Sequence, residues 1–508
     1  MRSVRSVSGK RRRRSFIAAA IIALVFTTSA HIGSPDTWFA GSAGPYPVTV
    51  LVRAPGVIPG LADVIVRVTG DGVRAVTASP AAYNAGERGV PPADTARGVS
   101  GRPGTWTARL WIMAPGSYSV RVTVDGSRGS GTAIVPVSAV ATRVLSMDRR
   151  FGWLLAGLAV ILLLGAVSII GAAARESVLS PGEVPDRRMK IRGRIAMAVG
   201  AAVLIGALAG GKAWWNAVDR DYRKSLDRRW VAQASVVTAS RGELRLRFSI
   251  ADSVWRGRSW RDRAASPLIP DHGKLMHMFL IREADASAFA HLHPVSTDSA
   301  TFETPLPALP GGRYRVFADV THESGYARTL VAEAELPGAG EVAPTDPDDA
   351  WFVGEPSAAG AALARGAKLV WENRPDALTA GADAGLEFTV REPDGSIGAV
   401  EPYLGMSGHA VIMREDGKIY VHLHPMGTVS QAAQVALRER RPADTARGAL
   451  GRRLTESGAL AAHPGPHQVL EGRAAFPYAF PEPGDYRIWV QVKRAAVVET
   501  ASFQVRVN

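Results

Sequence analysis

The tetrapeptide HLHP occurs twice, at residues 291–294 and 422–425, in a chain that has only 11 histidines among 508 residues. One more histidine precedes each copy. Neutral imidazoles are ligands for Zn²⁺ and Cu²⁺, and three that converge can hold one ion at about 2.0–2.1 Å. The sequence therefore predicts two metal clusters of three histidines each: His277, His291 and His293 in the first, and His409, His422 and His424 in the second.

Strand pairing explains why the histidines of one set should lie together. The Asp-Gly pair at 416–417 is typical of a two-residue hairpin turn, and counting outward from it places His409 opposite His424. His422 follows on the same side, because side chains alternate along a strand. The other face is wholly apolar in both hairpins, so we expect the core there and the histidines on an outward face; the apolar sets are Met278, Leu280, Ala290 and Leu292, and Ala410, Ile412, Val421 and Leu423.

The earlier hairpin adds a fourth ligand to its cluster. A three-residue loop at 284–286 places His277 opposite His293. If the later tyrosine-containing strand neighbours this hairpin, Asp319 faces the histidines, whereas Gln491 holds the equivalent place in the other copy. We therefore expect the first cluster to bind metal more tightly than the second. Nearby methionines favour copper, whose reduced form accepts thioethers: Met276, Met278, Met406, Met413 and Met426.

The histidines lie in segments whose apolar and polar residues alternate, and Gly and Pro turns bound these segments. This pattern predicts short β-strands and therefore an all-β protein. One phrase occurs three times, as PGSYSVRVTV (115–124), PGGRYRVFADV (310–320) and PGDYRIWVQV (483–492). A turn followed by Tyr and an alternating strand is typical of the tyrosine corner of an immunoglobulin-like sandwich. We predict three immunoglobulin-like or cupredoxin-like β-sandwich modules: residues 40–145, 232–338 and 365–508, the last with an insertion at 427–475.

Apolar segments predict a membrane anchor. Residues 1–30 have a basic head, a short apolar run and small residues, as in a signal peptide or signal anchor. Basic residues between two later spans favour a cytoplasmic linker, so both large segments are expected outside the inner membrane. The predicted pieces are transmembrane helices at 152–174 and 195–211, a cytoplasmic linker at 175–194, and an amphipathic membrane-proximal helix at 214–231.

The net charge of +14 fits a lipid bilayer as partner better than a nucleic acid. Residues 1–14 contribute +7 and residues 175–264 contribute +10, so the rest sums to −3, and both basic blocks flank apolar spans. The chain has no cysteine, which excludes disulfides and thiolate sites. Because catalytic motifs and a site for a small organic substrate are not recognisable, we expect a protein that is not an enzyme.

Two sets of phrases carry a resemblance to a known group of proteins. MHMFLIR…FAHLHP…YRVFADV and GHAVIM…YVHLHP…YRIWVQV…TASFQV resemble bacterial membrane-anchored periplasmic Ig/cupredoxin-like proteins associated with heavy-metal and copper handling. This resemblance covers about residues 232–508, and the first module resembles more loosely the YtkA/FixH-type sandwich. It implies a non-catalytic periplasmic role, with the six histidines of the two sets as site positions.

A second hypothesis is an envelope scaffold whose modules contact another envelope protein while the histidines bind no metal. In that case the histidine-rich sheet face is a hydrogen-bonded surface or the interface by which the two modules pack together. The copper oxidase alternative lacks a recognisable second redox centre. We interpret PADTARG (92–98, and again at 442–448) as exposed loop. The remaining histidines considered, His272, His322, His463 and His467, are interpreted as solvated loop residues.

Overall fold

The computed structural model describes residues 36–508, apart from 87–88, 181, 229, 241, 253–266, 299, 339–345, 373, 376 and 462–468. The predicted leader (1–30) and two of the loop histidines, His463 and His467, lie outside the described residues. Antiparallel sheets dominate the fold, so the all-β prediction is confirmed.

The first module is a sandwich of two sheets. Its inner faces alternate small β-branched residues such as Val48, Val50 and Val52, which suit a pleated and buried surface. The sheets have the strand orders β1-β2-β3-β7-β6 and β5-β4-β8-β9. The strands are β1 (Asp36–Ala43), β2 (Tyr46–Arg53), β3 (Gly60–Val68), β4 (Val73–Ala82), β5 (Asp94–Thr95), β6 (Arg97–Gly98), β7 (Thr105–Ile112), β8 (Gly116–Gly126) and β9 (Gly129–Ala139).

Two long helices follow, α1 (Arg149–Glu176) and α2 (Arg187–Ser225), and both are long and apolar enough to cross a membrane. Aspartates cap both helices: Asp186 accepts a hydrogen bond from the Met189 amide at 2.7 Å at the start of α2. At about 58 Å, α2 is longer than a bilayer is thick. Its last turns dock on the first module, where Tyr222 accepts a hydrogen bond from the Ile58 amide. The helix ends at Ser225, so the predicted extension to 231 is wrong.

The second module pairs a four-stranded sheet with a six-stranded sheet. The strands are β10 (Ala232–Thr238), β11 (Leu244–Ile250), β12 (Leu268–Ile269), β13 (His277–Arg282), β14 (Ala288–Leu292), β15 (Val295–Ser296), β16 (Thr301–Pro305), β17 (Gly312–His322), β18 (Ala327–Leu336) and β19 (Ala350–Val353). The first sheet has the order β10-β11-β16-β15. In the second, β17 pairs with β13, β13 with β14, and the linker strand β19 with the outer edge of β14.

The third module repeats this arrangement. Its strands are β20 (Gly360–Ala362), β21 (Lys368–Glu372), β22 (Leu386–Arg391), β23 (Ala399–Val400), β24 (His409–Arg414), β25 (Tyr420–Leu423), β26 (Leu470–Glu471), β27 (Arg473–Phe476), β28 (Gly484–Arg494) and β29 (Val497–Val507), with a 3-10 turn at Ala364–Gly366. The sheet that matters for the site has the order β25-β24-β28-β29. In both modules, therefore, the tyrosine strand lies directly beside the histidine hairpin.

The three tyrosines of the repeated phrase form the predicted corner. The hydroxyls of Tyr118, Tyr314 and Tyr486 each donate to the backbone carbonyl four residues upstream, at 2.9, 2.8 and 2.7 Å. This hydrogen bond fixes the turn that leads into the late strand of each sandwich. In the second and third modules that strand, β17 or β28, pairs with the histidine hairpin.

The insertion is not only loop. It contains two amphipathic helices, α3 (Gln431–Glu439) and α4 (Ala449–Glu456), whose apolar sides pack on Ile269 of the second module. The backbone amides of Gly448 and Gly451 also donate to the Glu323 carboxylate. Residues 442–448 connect the helices and are largely exposed, as interpreted from the sequence. The insertion of the third module therefore covers part of the second.

Candidate metal centre

Both histidine hairpins have the register that the turns predicted. Val411 pairs with His422 in the β24–β25 hairpin. In the β13–β14 hairpin Met278 pairs with Leu292, which puts His277 and His293 opposite each other just beyond the ladder. The eight apolar residues of the other faces belong to the cores of their own sandwiches, as predicted.

The prediction that the histidine faces point outward is wrong. The side chain of His422 is 6% exposed, and the other five predicted histidines are at most 5% exposed as whole residues. The reason is that the two histidine-bearing sheets pack face to face, so each covers the other. An apolar cluster from both modules fills this contact next to the histidines: Phe279, Ile281, Ala286, Phe289, Phe317, Val411, Met413, Tyr420 and Trp489.

Two ring stacks hold the two sheets in this position. Phe289 of the second module stacks on Trp489 of the third, with ring centroids 5.0 Å apart and planes 13° apart. Phe317 of the second module stacks on Tyr420 of the third, at 3.9 Å and 4°. Stacked aromatic pairs stabilise a contact by more than their buried apolar area alone provides. Together with the apolar cluster, they make this interface resemble the core of a domain.

Seven histidines meet beside this core, and we call them the histidine cluster: His272, His277, His291, His293, His409, His422 and His424. Neighbouring rings lie 4.4–6.3 Å apart between centroids. Six of them are the predicted site residues, brought into one cluster rather than two. The seventh, His272, was interpreted as a solvated loop residue, and that interpretation is wrong because its side chain is buried. It is also wrong for His322, which lies buried at the end of β17.

Within the cluster, His277, His291 and His293 form the first triad. One ring nitrogen of each lies within 4.8 Å of the others, which is close enough for the three to share an ion. His277 Nδ1 and His291 Nε2 lie 3.2 Å apart, within hydrogen-bond distance of each other. The ring of His291 stacks on Phe279 at 4.2 Å, and its Nδ1 lies 2.9 Å from Gln491 Oε1 and 3.0 Å from the Tyr403 hydroxyl. Residues of the third module therefore orient a histidine of the second.

The second triad differs from the prediction. The three ligand atoms that come within 4.8 Å of one another belong to His272, His409 and His424, and we call this set the mixed triad because it draws on both modules. His422 is in neither triad. Its Nδ1 lies 3.2 Å from Asp319 Oδ2 instead.

Asp319 is therefore not a fourth ligand of the first triad. Its backbone pairs with that of His277, as expected for the neighbouring strand, but its carboxylate reaches across the interface to His422 and also accepts a hydrogen bond from Thr329 at 2.5 Å. Gln491 likewise contacts His291 of the other module. Each module thus supplies the polar partner for a histidine of its neighbour, and the two predicted sites are not independent.

Acidic residues of the linker complete the centre, and the sequence reasoning missed them. Asp349 Oδ1 lies 3.0 Å from His293 Nδ1 and accepts the backbone amide of the same residue at 2.8 Å. Asp346 forms a further group with these two and also binds Lys274 at 2.5 Å. The run DPDDA at 346–350 was the available signal, but it lies between the predicted module boundaries.

In three histidines of the cluster one ring nitrogen has no partner in the described part of the chain and the other has a hydrogen-bond acceptor. His293, His422 and His424 each have an acceptor for Nδ1, namely Asp349, Asp319 and the Val429 carbonyl, while no described residue pairs with their Nε2 atoms. This is the arrangement of metal-ligating histidines, in which a hydrogen bond at one nitrogen fixes the other as ligand. The donor set therefore fits Cu²⁺ or Zn²⁺.

Burial favours the neutral form of four imidazoles of the histidine cluster, which is the form that binds metal. It lowers the pKa of His277, His291, His409 and His422 well below the usual value, and neighbouring histidines lower it further. Burial also raises the pKa of Asp319 to about 7. The methionines do not join the cluster: Met276 and Met278 lie in the core of the second module, Met413 in the interface core and Met426 against the first module.

A cavity of about 280 Å³ is lined by histidines of the cluster and by residues near the end of α2. Its inner end is lined by His277, His422 and His424. Its outer end is lined by Ser138 of the first module and Asp227, two residues beyond the end of α2.

The first module contacts the strand end that carries the second HLHP sequence. The amide of Ala40 donates to the Met426 carbonyl at 2.8 Å, and Trp38 packs in the core of the third module. Gly427 makes this approach possible, because a Cβ there would lie 2.2 Å from the Trp38 carbonyl oxygen and its φ is +107°. All three modules therefore adjoin the centre.

Comparison with known proteins places this centre within a matched region. A family described as "Domain of unknown function (DUF8832)" matches residues 242–336 and 364–508. The match covers just under half of the chain and falls on the two histidine-bearing modules. No curated protein matches.

Similar solved structures include an engineered protein (24% identity, TM-score 0.15, covering 18% of this chain) and CopC from Methylosinus trichosporium OB3b (22%, 0.15, covering 22% of this chain and 99% of CopC). A putative membrane anchored protein from Corynebacterium diphtheriae is also similar (10%, 0.14, covering 93% and 94%). The chain spans 19% of the engineered protein. At these TM-scores the likenesses carry no argument about function.

Proposed function

We propose that this chain is a membrane-anchored periplasmic protein that binds a transition-metal ion, copper first and zinc second, between its second and third modules. The observation that carries the proposal is the set of buried imidazole nitrogens with unused lone pairs, backed by hydrogen bonds at the opposite ring nitrogens. Leaving such polar atoms buried and unpaired is unfavourable by about 1–3 kcal/mol each. A bound cation removes that penalty.

Copper stands first because imidazole sites bind Cu²⁺ more tightly than Zn²⁺. The methionines do not support this choice, since those in apolar clusters fill core space. The proposal includes no catalytic activity. The bilayer is the proposed partner of α1 and α2, and both large segments lie outside the cytoplasm; reporter fusions after Val140 and after Ser240 should both behave as exported.

Metal content of the full chain in detergent tests the proposal. The protein is loaded with Cu²⁺ or Zn²⁺, passed over a desalting column with a weak competing chelator, and analysed for metal per chain. We expect retained metal in the wild type and in His31→Ala, which removes a histidine from the segment before Asp36. His291→Ala should retain less, because it removes a ligand of the first triad. If the wild type retains none, the histidines are structural and the alternative of an envelope scaffold is correct.

A further inference from the structure

We infer that the chain binds two metal ions, the second on the mixed triad of His272, His409 and His424, a site that belongs to neither module alone. The inference rests on the proposed function and extends it, because it sets the number of ions and requires the two modules to be packed together. Its ligand class is a divalent ion that prefers imidazole, Cu²⁺ or Zn²⁺.

His272 reaches the third module because of the turn in which it lies. Asp271 and Lys274 close the turn with a backbone bridge, and His272 takes a left-handed conformation with φ +51°. Its ring centroid lies 5.9 Å from that of His409 and 5.3 Å from that of His424, and its side chain is fully buried. The turn thus delivers an imidazole across the interface.

The nitrogens of the mixed triad have fewer hydrogen bonds than those of the first triad. Neither ring nitrogen of His272 or of His409 has a hydrogen-bond partner among the described residues, and the same holds for Nε2 of His424. His424 Nδ1 donates to the Val429 carbonyl at 3.1 Å, so its lone pair is on the free nitrogen. One ion can pair with one nitrogen of each ring, and so with three of these five buried atoms, for which packing alone supplies no partner.

The turn is held in position from outside the triad. The insertion fixes it twice: the Ala432 amide at the start of α3 donates to Asp271 Oδ1 at 2.8 Å, and the Gly273 amide donates to the Leu460 carbonyl at 2.9 Å. Asp271 Oδ1 is 3.8 Å from His272 Nε2 and adds negative charge beside the triad. Fixing the position of His272 in this way favours binding, because the side chain loses less conformational entropy when it binds the ion.

The third module contains its own version of the same turn without the ligand. Leu404 has φ +50° and is followed by Gly405 at +84°, as His272 is followed by Gly273 at +82°. The Tyr403–Met406 bridge corresponds to the Asp271–Lys274 bridge. His272→Leu therefore removes an imidazole and leaves a side chain that this turn already accepts elsewhere in the chain.

The experiment counts ions per chain in the full-length protein in detergent, with Zn²⁺ or Cu²⁺ alone as probe. We expect two ions in the wild type and in the control His31→Ala, and one ion in His272→Leu and in His291→Ala. A second variant, His424→Asn, keeps a donor for the Val429 carbonyl and should also retain one ion. The melting temperature of each metal-free variant shows that it is folded.

The outcomes separate this inference from the proposed function. One ion in the wild type, unchanged in His272→Leu and lost in His291→Ala, overturns the second site and leaves the proposed function intact. No ion in the wild type overturns both. Two ions that both persist in His272→Leu and in His424→Asn also overturn the inference, because the second ion is then bound elsewhere.

Discussion

Metal-free protein should lose stability as the pH falls, and His424 allows the size of one contribution to be worked out. Burial lowers the pKa of His424 to about 4. In the unfolded chain its pKa is about 6.5, so between these values the unfolded chain binds a proton that the folded chain does not. The contribution of His424 to the free energy of unfolding is therefore fully present above pH 6.5 and is lost as the pH falls to about 4. The loss is about 3 kcal/mol, at about 1.36 kcal/mol per pKa unit.

The same cluster contains an opposing group, so the wild-type curve alone does not isolate this histidine. Because burial raises the pKa of Asp319 to about 7, the folded chain binds a proton there first, and that group stabilises the fold as the pH falls. His424→Asn removes one titrating imidazole and keeps a donor for the Val429 carbonyl, which His424 Nδ1 contacts at 3.1 Å. The difference between the two proteins reports on His424.

The assay is urea unfolding of chelator-treated protein in detergent, followed by tryptophan fluorescence, at steps from pH 7.5 to pH 4. The wild type should lose about 3 kcal/mol more of its free energy of unfolding over this range than His424→Asn does. Parallel curves for the two proteins would refute the reasoning, because they would mean that the imidazole titrates alike in the folded and unfolded states.

Three further predictions each concern the substitution of a single side chain. Asp349→Asn leaves the His293 ring without its carboxylate partner and should weaken metal binding about 10–100-fold in a chelator competition titration. Ser138→Trp, in the outer wall of the cavity, should slow metal uptake in stopped-flow mixing and leave the equilibrium affinity unchanged; equal uptake rates would mean that ions enter elsewhere. Trp489→Ala should lower the free energy of unfolding by about 3–5 kcal/mol, whereas Trp111→Ala, at a site 57% exposed, should change it little.

The sequence was sufficient to predict the local geometry of the hairpins. An Asp-Gly turn fixes which residues pair, and alternation then fixes which side chains share a face, so the register of the β24–β25 hairpin and the apolar faces were predicted correctly. The tyrosine corners followed from a repeated phrase for the same reason: the interaction spans only four residues, as between Tyr314 and Pro310.

What covers the histidine face could not be read from alternation. A period of two shows that a strand has two different faces, but polar residues on one of them fit solvent or a second polar sheet equally well. His272 was missed because its role depends on a turn that reaches another module. The helices of the insertion had a local signal, with Leu450 and Leu454 four residues apart, but only the PADTARG segment and two histidines of the insertion were interpreted, as loop.

The contacts across the interface between the second and third modules are reciprocal. Asp319 and Gln491 occupy equivalent strand positions, and each contacts the equivalent histidine of the other module, His422 and His291. The Phe317–Tyr420 and Trp489–Phe289 stacks repeat the relation.

Reciprocal contacts of this kind define the two-fold interface of a homodimer, in which residue i meets j and j meets i. The second and third modules therefore meet, within one polypeptide, as the two subunits of such a homodimer meet. Because they are parts of one chain, they can carry different residues at equivalent positions. One turn has His272 where its counterpart has Leu404, so the centre is asymmetric.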